Sequence, residues 1–210
     1  MINTRSVFIR AAALSLQFLF CSHALAQQPP VSSTLKVRGT VESLDGETLR
    51  VKSRDGAEMM LHLPANVGVA GVAKMSLSDV KVGSYIGVTS VPGDDGSQKA
   101  IEVHVFPGAM RGVGDGTQPW DLKPKSSMTN GAVDQRTVAG NDGHTLTVKY
   151  KGGERKVLVT PDTAVVTFVP ATRPEIKAGT PVFAIAIKKP DGTLDASRVS
   201  IGRDGVAPPM

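Results

Sequence analysis

Histidine and methionine side chains are the residues of this 210-residue chain that are best suited to bind a metal ion. Met60 and His62 alternate with apolar neighbours along one predicted strand, so both project from the same face. The same alternation places His104 on the outer face of a later strand. Imidazole nitrogens and a thioether sulfur suit copper or zinc, so these three residues define a candidate metal site. The alternative is two ordinary surface histidines, since the sequence has no HxH, HxxxH or methionine-rich run.

The sequence carries no recognisable catalytic motif. Serines are plentiful, but none lies in the Gly-x-Ser-x-Gly turn that exposes a nucleophile. The spacing Gly112-x-Gly114-x-Gly116 lacks the Lys-Ser/Thr pair of a phosphate-binding loop. The single cysteine, Cys21, excludes a disulfide framework and a cysteine-cluster zinc site. We therefore predict that the protein is not an enzyme.

A segment rich in glycine and proline, residues 107–127, contains the only tryptophan of the chain, Trp120. A loop of this length is either functional or a true linker. One interpretation is that Trp120 stacks on a ligand, and the other is that it packs the linker against a neighbouring domain. Arg111 and Asp121 either pair across the loop or hold a polar ligand. These three residues form the candidate binding site for a partner protein or a small ligand.

The sequence repeats itself at a shift of about 96 residues. The run Asp79-Val80-Lys81-Val82-Gly83 reappears as Glu175-Ile176-Lys177-Ala178-Gly179, and flanking apolar positions follow the same shift. Such self-similarity indicates a duplicated domain. We predict one copy at residues 33–106, a second copy at residues 128–203 and a tail at residues 204–210.

Each copy is predicted to be all-β, with five short strands. Leu35, Val37 and Val41 alternate with polar residues, which is typical of a half-buried strand, and Asp45-Gly46 predicts the following hairpin turn. The low aromatic content of 4% and the 22 glycines and 14 prolines suit short elements joined by turns. Five such strands resemble the Greek-key barrel called the OB-fold. A small open sheet or sandwich is the alternative, but it would leave two strand edges exposed.

The run from Ser78 to Val88, together with Val37-Arg38-Gly39-Thr40-Val41, resembles exported bacterial proteins that carry domain of unknown function 5666. The resemblance covers the first copy best and the second more loosely. It implies a small β-barrel of the bacterial envelope and supplies no catalytic residues.

The first 26 residues have the features of a secretory signal peptide. Arg5 and Arg10 precede an apolar stretch of eleven residues, which is too short to span a bilayer, and Ala24-Leu25-Ala26 forms a cleavage site. We predict that the mature protein begins at Gln27 and is periplasmic or secreted. Its 22 basic and 19 acidic residues leave a net charge of +3, against +5 for the whole chain.

Few aromatic side chains, a modest positive charge and export argue against nucleic-acid binding, which stacks bases on aromatic residues in a basic groove. The sequence therefore predicts a non-enzymatic envelope protein whose tandem barrels bind a partner protein or a small ligand. The alternative is a periplasmic accessory protein that binds copper or zinc.

Overall fold

The computed structural model describes residues 33–93, 97–140 and 143–209, so the predicted signal peptide lies outside the described residues. The described residues form thirteen strands, three short 3-10 helices and no α-helix, which confirms the all-β class. The helices are Leu77–Asp79, Gly108–Met110 and Arg173–Glu175. The strands are β1 (Ser33–Asp45), β2 (Thr48–Ser53), β3 (Glu58–His62), β4 (Gly68–Lys74), β5 (Tyr85–Pro92), β6 (Gln98–Val105), β7 (Gly116–Pro119), β8 (Ser127–Ala139), β9 (Gly143–Tyr150), β10 (Gly153–Val159), β11 (Ala164–Pro170), β12 (Pro181–Lys188) and β13 (Leu194–Gly202).

The duplication is visible in the order of the elements. A shift of 96 residues carries β4 onto β11 and β5 onto β12, and the 3-10 helix that lies between them onto its counterpart. Gly83 and Gly179 lie at equivalent turns, with φ angles of +86° and +83° that favour glycine. Each copy has six strands rather than the predicted five, because β4 and β11 add one strand to each copy.

Strand pairing builds one 13-stranded sheet that contains two closed rings of five strands. We call the ring of β1, β2, β3, β13 and β12 ring 1, and the ring of β8, β9, β10, β6 and β5 ring 2. Within each ring all pairings are antiparallel except the closing pair, which is β3 with β13 in ring 1 and β10 with β6 in ring 2. Strands β4 and β11 connect the rings.

Each ring combines strands of both copies, which differs from the prediction that residues 33–106 and 128–203 each close on themselves. The first three strands of one copy pair with the last two strands of the other copy. The reason lies in β4, which pairs antiparallel with its own counterpart β11, so that Val72 lies opposite Phe168. That crossing carries the chain from one ring to the other before β5 begins.

The two cores follow the rings and not the copies. The ring 1 core joins side chains of β1–β3, such as Val37 and Leu61, to those of β12 and β13, such as Ala184 and Val199. The ring 2 core joins β5 and β6 to β8–β10 in the same way. Burial of apolar area, the main stabilising contribution in folding, therefore depends on both copies being present in each ring.

In both copies a glycine allows the first strand to approach the second closely, β1 to β2 in the first copy and β8 to β9 in the second. A Cβ atom on Gly39 would lie 2.1 Å from the carbonyl oxygen of Lys52, and one on Gly131 would lie 2.3 Å from that of Lys149. Both distances are shorter than any carbon–oxygen contact allows, so neither position accepts a side chain without movement of the backbone. The motif Val-Arg-Gly-Thr-Val thus has a geometric basis.

The end of the chain is part of the fold. The predicted tail, residues 204–210, packs against the sheet over its described part, where Val206, Pro208 and Pro209 are buried. Arg38 Nε donates a hydrogen bond of 3.0 Å to the Pro209 carbonyl. No helix of the described residues is long and apolar enough to cross a membrane.

Candidate anion-binding cleft beside the linker

The linker is ordered and joins the two rings. Its strand β7 pairs with β8 of ring 2, and Trp120 follows directly. Trp120 lies against β1 of ring 1, where Lys36 Nζ is 3.8 Å from the centre of the indole ring and Arg38 Cζ is 6.0 Å from it. The Trp120 side chain is half-buried, and its Nε1 atom is buried without a hydrogen-bond partner among the described residues. Trp120 therefore packs through cation–π contacts.

Asp121 fixes these cations beside Trp120. Both of its carboxylate oxygens accept hydrogen bonds from the Arg38 guanidinium, at 2.9 and 3.0 Å, and Lys36 Nζ lies at 3.6 Å. Burial raises the pKa of Asp121, but the hydrogen bonds and charge of Arg38, together with the charge of Lys36, outweigh it and hold the pKa below its usual range. Arg38 also stacks on the Phe183 ring, with its Cζ atom at 4.8 Å. All the nitrogens of Arg38 are thus engaged.

Arg111, the third predicted site residue, is not part of this group. Its guanidinium donates to the Gly83 carbonyl and lies 5.8 Å from the Tyr85 ring, so it binds the linker to ring 2. The structure therefore brings Trp120 and Asp121 together on ring 1 and places Arg111 in a separate contact.

Arg54, like Lys52, has no counter-ion among the described residues. It is exposed in the turn between β2 and β3, and its backbone N–H bonds to the Arg38 carbonyl. Partial burial of its guanidinium and the positive charge of Arg38 both lower its pKa from the usual arginine value. The nearest acid in sequence, Asp55, accepts a hydrogen bond from Ser53 instead. Arg38 and Arg54 line the same cleft, and Asp121 pairs with Arg38 and not with Arg54.

Two clefts meet at Arg54. The larger cleft, of about 630 Å³, extends along the start of β1 to Asp121 and Leu122, and its three basic residues are balanced by three acidic ones, Asp55, Glu58 and Asp121. The smaller, of about 360 Å³, is bounded by the C-terminal segment at Pro208, and among the described residues its charged lining residues are both basic, Lys52 and Arg54. We call the two together the basic cleft. Its exposed cations and the neighbouring indole suit an anionic group.

The predicted metal site is not assembled, because the exchange of strands separates its residues. His62 and Met60 belong to β3 of ring 1, whereas His104 belongs to β6 of ring 2. His104 points away from the ring 2 core, as predicted, but it is buried beneath Phe168 and is not a surface residue. Among the described residues, no group of three or more His, Cys, Asp or Glu side chains is placed to hold a metal ion.

His62 instead links the closing strands of ring 1. Its Nδ1 atom lies 3.0 Å from an Asp195 oxygen and its Nε2 atom 3.2 Å from a Glu47 oxygen. His62 and Asp195 are also the single paired position between β3 and β13. The hydrogen bonds to Glu47 and to Asp195 raise the pKa of His62 above its usual value. In ring 2 the equivalent closing pair is Leu158 with Lys99, which has no such charge link.

We expect the stability contribution of His62 to depend on pH. A raised folded-state pKa means that the contribution is fully present below the ordinary histidine pKa of about 6.5 and is lost as the pH rises through the folded-state value. His62→Leu, which copies Leu158, should therefore lower Tm by about 1–2 °C at pH 5.5, because exposed ion pairs contribute little. At pH 8.5 the same variant should match the wild type. An equal Tm difference at both pH values would contradict the charge link.

Sequence reasoning found Trp120 and Asp121 but missed Arg38 and Arg54. Both arginines lie in predicted strand or turn positions, where an isolated basic residue is usually a solvated surface group. The one available signal was the proximity of positions 38 and 54 across the β1–β2 hairpin, which brings two arginines to one end of the sheet. Comparisons of the chain with protein families, with curated proteins and with solved structures found no match. The function is therefore argued from the geometry of the basic cleft.

Proposed function

We propose that this chain is an exported, non-enzymatic binding protein that holds an anionic group of a partner protein or small ligand in the basic cleft. Export rests on the signal-peptide features of residues 1–26. The two rings are interpreted as OB-like barrels, since each has five strands in a Greek-key order. In this interpretation the barrels are tandem in space, but each is built from both copies.

The observation that carries the proposal is the guanidinium of Arg54, which has no ion-pair partner in the described part of the chain and lines the same cleft as Arg38. Like charges repel each other, and Asp121 pairs with Arg38 and Lys36 but not with Arg54. A carboxylate or phosphate at Arg54 would remove that repulsion and gain charge-assisted hydrogen bonds. Lys52, on the wall of the smaller cleft, adds a second positive charge within reach.

The single tryptophan makes this binding directly measurable. Phosphate and acetate are added at constant ionic strength, and the fluorescence of Trp120 is followed, because its indole lies against the cations that line the cleft. We expect saturable changes with both anions. Arg54→Gln should weaken binding by about tenfold or more, since a hydrogen bond to a charged group is worth roughly 1.5–3 kcal/mol.

The matched control is Arg198→Gln, which makes the same charge change at an exposed position of β13 that lines neither part of the cleft. The control should bind as the wild type does. An equal loss in both variants would mean that only the overall charge matters, and the proposal would be wrong.

A further inference from the structure

The two rings have equivalent openings that are sealed differently. In ring 2, Arg155 on β10 donates hydrogen bonds to Ser127 on β8, at 2.8 Å, and to Gln98 on β6, at 3.5 Å. These bonds connect three strands across the opening. The equivalent residues in ring 1 are Met59, Leu35 and Leu194, which the register of the paired strands confirms.

The opening of ring 1 is therefore apolar and holds no hydrogen bond between these three side chains. Met59 and Leu194 are half-buried and pack against the ring 1 core, and Leu35 is 38% exposed. An alkyl group that packs on this surface would be removed from water, which lowers the free energy. Ring 1 thus has three apolar side chains at the positions where ring 2 has three polar ones, and this difference suggests that the two openings have different roles.

This apolar opening is continuous with the basic cleft. Leu35 and Met59 line the larger part of that cleft together with Arg54, and the carboxylates of Asp55 and Glu58 lie on its wall. Met59 also lines a second groove of about 630 Å³, which continues along β3 to Met60 and Leu194. Met60 is 60% exposed and extends the apolar surface further. A cation at one end and an exposed apolar path leading away from it describe the two parts of an amphiphile.

We infer that the ligand of the basic cleft is a single-chain amphiphilic anion, with its head group at Arg54 and its alkyl chain across Leu35, Met59 and Leu194. The inference rests on the proposed function for the position of the head group and adds the chemical class of the rest of the ligand. The polar trio of ring 2 keeps the second ring from binding in the same way.

The test is a series of straight-chain carboxylates from acetate through hexanoate to decanoate, followed by Trp120 fluorescence below micelle-forming concentrations. Each methylene removed from water is expected to increase affinity by about fourfold at most, until the apolar path is filled. Decanoate should therefore bind more than tenfold tighter than hexanoate. In the wild type, the Met59 methyl carbon resonance should shift with decanoate and stay unchanged with acetate.

The decisive variant places the three polar residues of the ring 2 opening at the equivalent positions of ring 1, by Leu35→Ser, Met59→Arg and Leu194→Gln. We call these three substitutions the seal. We expect this variant to lose the dependence on chain length and to keep acetate and phosphate binding at Arg54. Arg155→Met in ring 2 is the matched control and should leave the chain-length dependence intact. If the triple variant does not fold, the Met59 resonance of the wild type decides the question.

The outcomes separate the two proposals. Equal affinity for acetate and decanoate, or a chain-length dependence that survives the seal, would overturn the amphiphile inference and leave the anion site standing. Decanoate binding that shifts Met59 but is unaffected by Arg54→Gln would overturn the anion site and retain the apolar opening.

Discussion

Cutting the chain between Gly112 and Val113 is expected to give two fragments that remain bound to each other, while neither fragment folds as a monomer. Each ring takes three strands from one copy and two from the other, so residues 33–112 alone cannot complete either ring within one molecule. The same holds for residues 113–210. A fragment that leaves both apolar cores open loses the main stabilising contribution of the fold. We therefore expect that neither isolated fragment forms a detectable folded monomer.

The measurement uses a protease site inserted at this exposed position, followed by size-exclusion chromatography with light scattering and by circular dichroism. The cleaved protein should elute as a 1:1 complex with an unchanged spectrum and should separate only in denaturant. Each isolated fragment should lack a cooperative monomeric transition. In a pair of 33–112 fragments, the first three strands of one fragment could close a ring with the last two strands of the other. A concentration-dependent homodimer therefore also agrees with strand exchange.

A folded monomer of residues 33–112 would contradict the exchange and favour the arrangement in which each copy closes on itself. The control is the same protease site inserted at Gly140, because this residue lies in the turn between β8 and β9 within a single ring. Cleavage there should leave the strand exchange untouched.

The strands themselves could be predicted from the sequence, because alternation and glycine turns are local signals. β4 was missed, since its run Gly-Val-Ala-Gly-Val-Ala has small residues with a weak preference for strands. Ser76 caps the 3-10 helix Leu77–Asp79, which follows β4. The short strand β7 was missed for a related reason, because glycine and proline at its ends favour a turn.

The exchange of strands could not be predicted from local patterns. β5 and β12 occupy equivalent positions, and both present small apolar side chains to a core. Since either strand therefore suits either ring, the hydrophobic pattern does not distinguish self-closure from exchange. What decides the matter is the pairing of β4 with β11, a long-range contact that no local signal in either segment specifies. The same exchange separates His62 from His104 and explains why the predicted metal site fails to form.

The candidate site shows the same limit. Trp120 could be selected because a single tryptophan in a loop needs a partner surface. Its actual partners, Lys36 and Arg38, lie more than eighty positions earlier in the chain, and nothing local connects them to the linker. The contrast between Arg155 and Met59 was likewise open to sequence comparison of the two copies, but its meaning required knowing that both residues face a ring opening.

The buried pair Glu102 and His104 was unexpected, and the copies do not share it. The equivalent residues are Arg198 and Ser200. Both members of the pair are at most 1% exposed, and His104 Nδ1 lies 3.5 Å from Glu102 Oε1. Neither of these two atoms, nor His104 Nε2, has a hydrogen-bond partner among the described residues. Thr89 donates a hydrogen bond of 3.3 Å to the other carboxylate oxygen, and the imidazole packs against Phe168, with 3.9 Å between ring centres. The pair thus lies on β6 where that strand pairs with β11, with His104 packed against the rings of Phe106 and Phe168.

Removing one member of this pair should be among the most damaging single substitutions in the protein. His104→Ala would leave the Glu102 carboxylate buried with Thr89 as its remaining polar contact, and loss of one partner of a buried pair costs about 3–5 kcal/mol. For a chain of this size, that corresponds to a fall in Tm of roughly 10 °C or more. Replacing both members, by Glu102→Met and His104→Phe, should restore or exceed the wild-type stability, since apolar residues of similar volume avoid the cost of desolvation.

Chemical denaturation of the wild type, the single variant and the double variant measures this inversion directly, with ligand-free protein at one pH. Ser200→Ala is the matched control, because Ser200 is the counterpart of His104 and its buried hydroxyl has no hydrogen-bond partner among the described residues. That substitution should change the free energy of unfolding by less than about 1 kcal/mol. A His104→Ala variant as stable as Ser200→Ala, or a double variant as unstable as the single one, would show that the pair is not the electrostatic unit its burial implies. Recovery in the double variant would mean that Glu102 and His104 stabilise the fold only through each other.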